Sequence, residues 1–281
     1  MTSICLWPSW KPWASRNPMG APLSIVLVGH GKMGSALLRG WQESDLNATY
    51  TIIDPYSAAA DFTSIPHAKE PLSRADVIVL AVKPQTMGDV CLPLSLLISP
   101  KTLVLSIAAG QSLSTFAHWF GADQPVIRAM PNTPAAIAEG VTVAVANPAV
   151  TSGQESLAHR LLSAAGLVEW ITEESLMDAV TALSGSGPAY VFYMIEAMTK
   201  AGIAAGLPAP LSETLARQTV IGSAALAQSE SGLSAQVLRE AVTSPNGTTE
   251  AGLKILMNGN FQDILTQTLL AARDRSKALN A

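Results

Sequence analysis

The chain has 281 residues, 48% of them apolar, with 17 Lys plus Arg against 21 Asp plus Glu and so a net charge of −4. That length predicts about two domains; the apolar content excludes disorder throughout, and the acidic balance excludes a nucleic-acid partner, which demands a basic face. Cys5 and Cys91 form no CxxC and the histidines (His30, His67, His118, His159) are scattered, so neither a disulfide framework nor a metal site is expected.

Met1–Pro22 carries Trp7, Trp10 and Trp13 between prolines and lacks the apolar centre of a secretory signal. It reads as a disordered extension, or as a start placed too early with Met19 the natural beginning. Tryptophans at such intervals also suit docking on a partner or a membrane surface. No apolar run reaches the roughly 18–20 residues that span a bilayer, so no membrane partner and a cytoplasmic location are expected.

Leu23–Gly29 (LSIVLVG) is a continuous apolar run, as in a strand buried on both faces of a parallel sheet. Lys32–Trp41 follows as a helix with Met33, Ala36, Leu37 and Leu38 on one face. Thr49–Asp54, Ala75–Val82, Leu103–Ala108 and Pro125–Met130 read as further strands, and Val141–Ala146 and Leu167–Ile171 as later ones around a helix at Gln154–Ala164. Strands alternating with helices predict a doubly wound α/β domain over 23–172.

After Thr172 the strands stop. Glu173–Leu183, Ser212–Gln228 (opened by Ser212 after Pro208 and Pro210) and Asp263–Lys277 are helical in pattern, so 173–281 is predicted all-α. Ser175–Ser229 contains only five charged residues, Asp178, Glu196, Lys200, Glu213 and Arg217. Water-facing helices need charge. The segment is therefore either a helical domain buried in its own protein or, as favoured here, a homodimer interface.

Gly29-His30-Gly31-Lys32-Met33-Gly34 is a GxGxxG turn between a buried strand and a helix, the context that gives this pattern meaning. Gly29 permits the tight turn, Gly31 lets backbone approach a pyrophosphate, and Gly34 allows close helix packing, while Lys32 and Met33 open the helix whose N–H groups face the anion. Asp54 ends the second strand, where a carboxylate accepts from an adenosine ribose diol and repels a 2′-phosphate; it could equally cap the turn begun by Pro55. Read alone it favours NADH over NADPH, predicting the smaller Michaelis constant for NADH. Ala81-Val82-Lys83-Pro84 ends the third strand on the same edge, with Lys83 either near the nicotinamide ribose and phosphates or in solvent. Ser106–Gly110 ends the fourth, where small residues such as Ala108 leave room for a flat ring.

Ser184-Gly185-Ser186-Gly187-Pro188 interrupts a helical pattern, either as a plain loop or where backbone approaches a ligand. Val242–Thr249 (VTSPNGTT) is a turn that places two threonines at a helix start, suited to an anion but also an ordinary helix opening. Taken with AVKPQ at 81–85, SIAAG at 106–110 and RAMPNTP at 128–134, these motifs resemble the pyrroline-5-carboxylate reductase family, in order from Ile25 to about Phe261.

The resemblance implies an N-terminal Rossmann-like dinucleotide-binding domain and an all-α C-terminal dimerisation domain. Dimers of this family often join into larger rings, and the site lies between the cofactor domain and the dimerised helices. It implies reduction of 1-pyrroline-5-carboxylate, a cyclic imino acid, to L-proline by NADPH or NADH. Carried over by position, Ser244, Gly247, Thr248 and Thr249 would hold the substrate carboxylate and ring nitrogen. Glu174 would be a nearby polar contact, and the 184–188 segment, with Ser186 and Gly187, would shape the pocket. Asn246 stands where the family usually has glycine, Ala235 for a proline, and Ala68 for an asparagine near the ribose; Asp54 replaces the usual Asn, Ser or Arg. The C=N bond accepts hydride at carbon, so the main task is placing nicotinamide C4 about 3–3.5 Å away. Thr249 is the candidate catalytic residue, orienting the ring nitrogen. Two alternatives are a β-hydroxyacid dehydrogenase, whose chemistry wants a lysine base that Glu173–Leu183 lacks, and a non-catalytic dinucleotide sensor.

Overall fold

The computed structural model describes residues 21–280. The extension expected at 1–22 lies outside them except for Ala21 and Pro22. A seven-stranded sheet has the order β2-β1-β3-β4-β5-β6-β7. Its strands are β1 (Leu23–Val28), β2 (Ala48–Ile53), β3 (Val77–Leu80), β4 (Leu103–Ser106), β5 (Val126–Met130), β6 (Gly140–Ala146) and β7 (Gly166–Trp170). β1 to β5 are parallel, β6 runs antiparallel to β5, and β7 is parallel to β6.

Side chains alternate across the sheet. Ile25, Leu27, Val77, Val79, Leu103 and Leu105 pack on α1 (Lys32–Glu43), while Val26, Val28, Ile78, Leu80 and Val104 face the other way onto α2 (Lys69–Arg74), α3 (Met87–Ser95) and α4 (Leu113–Phe120). α5 (Ser152–Ser163) joins α1 on the first face, where the buried Trp41 indole N–H donates to the Leu161 carbonyl at 2.8 Å. Cys91 lies in the second layer, and burial pushes its thiol up to about 12.

Val28 pairs with Ile53 and Leu80, Leu80 with Ser106, and Ser106 with Arg128. The first four parallel strands therefore end level with one another. β1 has β2 on one side and β3 on the other, so this carboxyl edge opens where the strand order reverses.

Past β7 every element is helical. A 3₁₀ turn (Glu174–Leu176) leads into α6 (Met177–Val180), a π-helical turn (Thr181–Gly185) and α7 (Gly187–Ala204). α8 (Ala209–Ser229), α9 (Ala235–Ala241), α10 (Thr248–Leu256) and α11 (Asn260–Asn280) follow. α8 starts three residues before the Ser212 opening read from the sequence. Pro210 sits in the first turn, where a missing N–H costs nothing, and Ser212 is instead a buried tie to the Thr199 carbonyl at 2.8 Å. The break expected at 184–188 is also milder than a loop, since one wide π turn carries the chain from α6 into α7.

α7 packs along α8, and α11 packs back on α6 and the π turn, where Ser276 Oγ donates to Asp178 at 2.7 Å. In one chain α7 buries none of its residues and α8 only Ser212 and Ala216, while Phe192, Tyr193, Leu215 and Ile221 stand exposed. Helices this apolar and this bare have a face made for another surface.

Candidate functional site

The glycine turn sits at the carboxyl edge directly after β1. Gly29 has φ +97°, and a Cβ there would stand 2.7 Å from the carbonyl carbon and oxygen of Ala81 and 2.9 Å from the Val82 nitrogen. A side chain is excluded on both counts, so the first and third strand ends press together here. Gly34 packs as tightly, because a Cβ on it would overlap the Gly29 carbonyl. Gly31 differs. It caps α1, and nothing lies within 4 Å of where its Cβ would be. Open space beside a helix start with free N–H groups is what a pyrophosphate requires, so the residues present fit a dinucleotide.

Asp54 braces this turn. Its Oδ2 accepts from the His30 N–H at 2.7 Å and its Oδ1 from the Tyr56 and Ser57 N–H groups at 2.7 and 3.0 Å. The Ser57 hydroxyl also lies 2.7 Å from His30 Nδ1. Partial burial alone would raise the Asp54 pKa, but the three backbone donors and the nearby His30 bring it below the ordinary aspartate value. Of the turn cap and the ribose acceptor, the geometry builds the cap. Three of about four lone-pair positions are already used.

Lys32 and Lys83 are exposed, Met33 is half-buried against the first core layer, and Pro84 opens a 3₁₀ turn (Pro84–Thr86). Ala108 is buried beyond β4, its N–H donating to Ser106 Oγ at 3.3 Å. Gly29, Gly34, Ala81, Val82 and Asp54 are thus drawn into one assembly, with Gly31 and Lys32 on its open side.

The 184–188 motif reaches the same edge further along the sheet, at the end of β5. A Cβ on Gly185, in the π turn, would stand 2.5 Å from Met130 Cε, at the end of β5. Asn132 Nδ2 donates to the Ser184 carbonyl at 3.1 Å. Ser186 and Gly187, where α7 begins, are therefore held close to the end of β5. Glu174 enters as an anchor: its Oε1 accepts from Arg128 Nη1 at 2.7 Å and from the Leu113 N–H at 2.8 Å. Arg128 is only 5% exposed in the sheet, so this ion pair ties the first helical turn to β5 and α4. Both of these bonds go to Oε1, so any substrate contact by Glu174 would fall to Oε2.

Ser244, Gly247, Thr248 and Thr249 lie on the α9–α10 turn, and Ser244, Thr248 and Thr249 are exposed. Asn246, with φ +58°, adopts the left-handed conformation that asparagine tolerates. Gly247 caps α10, and Thr248 and Thr249 open it. Glu250 turns back to accept from the Asn246 N–H and pairs with Lys254 at 3.2 Å, so its charge is balanced locally. Among the described residues the turn's hydrogen bonds stay between Arg239 and Ala251, and none reaches the sheet of its own chain.

Arg128 and Asn132 belong to the RAMPNTP segment but received no role from the sequence. The signal was available: an arginine inside an apolar strand must find a buried carboxylate.

Residues 174–279 match the family described as pyrroline-5-carboxylate reductase dimerisation, and residues 24–110 that described as NADP oxidoreductase, coenzyme F420-dependent. The pyrroline-5-carboxylate reductase of Pseudomonas aeruginosa is 40% identical over 263 residues, covering 91% of this chain and 96% of the relative. That of Glycine max is 38% identical, covering 92% and 96%. A pyrroline-5-carboxylate reductase structure from Coxiella burnetii superposes with a TM-score of 0.85 at 34% identity, covering 92% of this chain and 99% of the other. The Plasmodium falciparum pyrroline carboxylate reductase, solved with NADP bound, gives 0.79 at 29% identity, covering 93% and 99%.

Proposed function

Since the chain belongs to the pyrroline-5-carboxylate reductase family, and is an NAD(P)H-dependent reductase of that imino acid in proline biosynthesis, we propose how its residues divide the work. The glycine turn, Lys32, Lys83 and the ends of β3 and β4 hold the dinucleotide along the carboxyl edge. Reduced nicotinamide bound there supplies the hydride that the imine carbon accepts. The α10 start supplies the other half. Its first N–H groups have no intrahelical acceptor, so with the Ser244 and Thr248 hydroxyls they hold the substrate carboxylate. The Thr249 hydroxyl orients the ring nitrogen. No strong acid is needed if the iminium binds already protonated.

The observation that carries this reading is the seating of the π turn on Met130 at the sheet's carboxyl edge. It brings the motif assigned to shaping the substrate pocket to the edge assigned to the cofactor. Among the described residues the α9–α10 turn makes no hydrogen bond to the sheet of its own chain, and the family match over 174–279 describes dimerisation. We therefore place the completed site between the sheet of one protomer and the paired helices of the homodimer, and infer rings of dimers as the larger assembly. Among the described residues no helix is long and apolar enough to cross a membrane.

Initial rates with NADH and with NADPH at fixed 1-pyrroline-5-carboxylate test the proposal. L-proline formed in step with cofactor oxidation supports it. Cofactor binding without turnover would return the chain to the sensor reading.

A further inference from the structure

The π turn leaves one backbone acceptor in need of a partner. In an α-helix the carbonyl of Ser184 would accept from the N–H four residues later, which belongs to Pro188. Proline has no N–H. The Ser186 N–H reaches back instead to the Thr181 carbonyl at 2.9 Å, the wide spacing of a π turn, and the Ala189 N–H goes to the Ser186 carbonyl at 3.0 Å. The Ser184 carbonyl is thus freed by the sequence itself. A half-buried carbonyl without a donor is costly.

Its donor comes from the other domain. Asn132 follows β5 and Pro131, and opens the 3₁₀ turn Thr133–Ile137, yet its side chain does not cap that turn. Its Oδ1 accepts from the Val141 N–H at 2.9 Å and its Nδ2 donates to the Ser184 carbonyl at 3.1 Å. The Val141 N–H fixes which end of the amide is oxygen, so the NH₂ end must face Ser184. One planar group therefore measures the gap between the sheet and the π turn. Two residues earlier, Met130 fills the space that a Gly185 side chain would need.

We propose that Asn132 is a positioning residue for the reduction. By supplying the donor that Pro188 withholds from the Ser184 carbonyl, it sets Ser186 and Gly187 at a fixed distance from the sheet edge that receives the nicotinamide. It acts through that turn rather than as a catalytic group. The inference rests on the functional reading above, because it needs that turn to border the substrate.

Two variants test it. Asn132→Asp is isosteric and still accepts from Val141, but at neutral pH it has no proton for Ser184. Asn132→Ala lacks both bonds. For the aspartate variant at pH 8 we expect kcat to fall about 10-fold or more and the Michaelis constant for pyrroline-5-carboxylate to rise, with that for NAD(P)H within about twofold of wild type. Lowering the pH toward the carboxyl range returns a proton to the side chain. The deficit of Asn132→Asp relative to wild type should then shrink, while that of Asn132→Ala should not. A role in folding alone would not separate substrate from cofactor constants or give the two variants different pH profiles. If Asn132→Ala does not fold, the aspartate variant carries the test through its pH profile. Wild-type substrate kinetics in Asn132→Asp, or equal losses for substrate and cofactor, would overturn the inference. A wild-type protein that fails to reduce the imino acid would overturn the functional reading instead.

Discussion

Asp54 shows what a single side chain does to the account of the cofactor. Its place at the end of β2 was legible in the sequence, and so were its two possible uses. What could not be read was the 2.7 Å bond from the His30 N–H, which crosses from one loop to another. With both oxygens engaged by backbone, the carboxylate shapes the glycine turn under either cofactor. Asp54→Asn should therefore weaken NADH and NADPH by similar factors, about 3- to 30-fold, where a pure selector would weaken one and improve the other. Titrating each reduced cofactor into the variant by fluorescence decides between these. The backbone donors also lower the Asp54 pKa below its unfolded value near 3.9. Its contribution is then complete above that value and lost only as the pH falls through the lower folded one. Cofactor affinity should show no loss traceable to Asp54 between neutrality and about pH 4. Thr249 makes the complementary prediction. Thr249→Val keeps the shape and removes the hydroxyl, so kcat should drop about 10- to 100-fold with cofactor affinity unchanged. Wild-type turnover in that variant would remove Thr249 from the chemistry.

The elements were mostly legible because their patterns are local. Continuous runs such as VIVL at 77–80 are central parallel strands, and the sequence places all seven within a few residues of their observed ends. The misreadings came where proline acts against its reputation. Pro210 sits harmlessly in the first turn of α8, and Pro188 reshapes a helix without ending it. That Arg128 needs a carboxylate was legible in its apolar strand, but that Glu174 would be the partner was not, since the two are far apart in the chain. Removing one partner strands the other charge, here an arginine only 5% exposed. Glu174→Ala should lower stability by about 3 kcal/mol, visible as a drop in the thermal midpoint, and the change should be larger than for Glu196→Ala, whose Lys200 partner is solvent-exposed. Equal midpoints for the two variants would show that the Arg128 pair does not bind the domains together.

At the scale of the whole molecule, the sparse charge between Ser175 and Ser229 forecast a face that one chain does not cover, and α7 and α8 present it. The same scale bears on the proposed division of the site between subunits. The glycine turn is finished within one chain, braced by Asp54 and packed on Ala81. Among the described residues the threonine-bearing turn at 244–249 makes hydrogen bonds only to neighbours in sequence, and it stands exposed. No reading of a single sequence could show which subunit's sheet it meets. A structure of the dimer with the oxidised dinucleotide and L-proline bound would settle that placement. The prediction is that proline's carboxylate lies on the N–H groups at the start of α10, with its ring nitrogen at the Thr249 hydroxyl and its ring facing the nicotinamide. Proline bound elsewhere, with the 244–249 turn remote from the nicotinamide of both protomers, would contradict it.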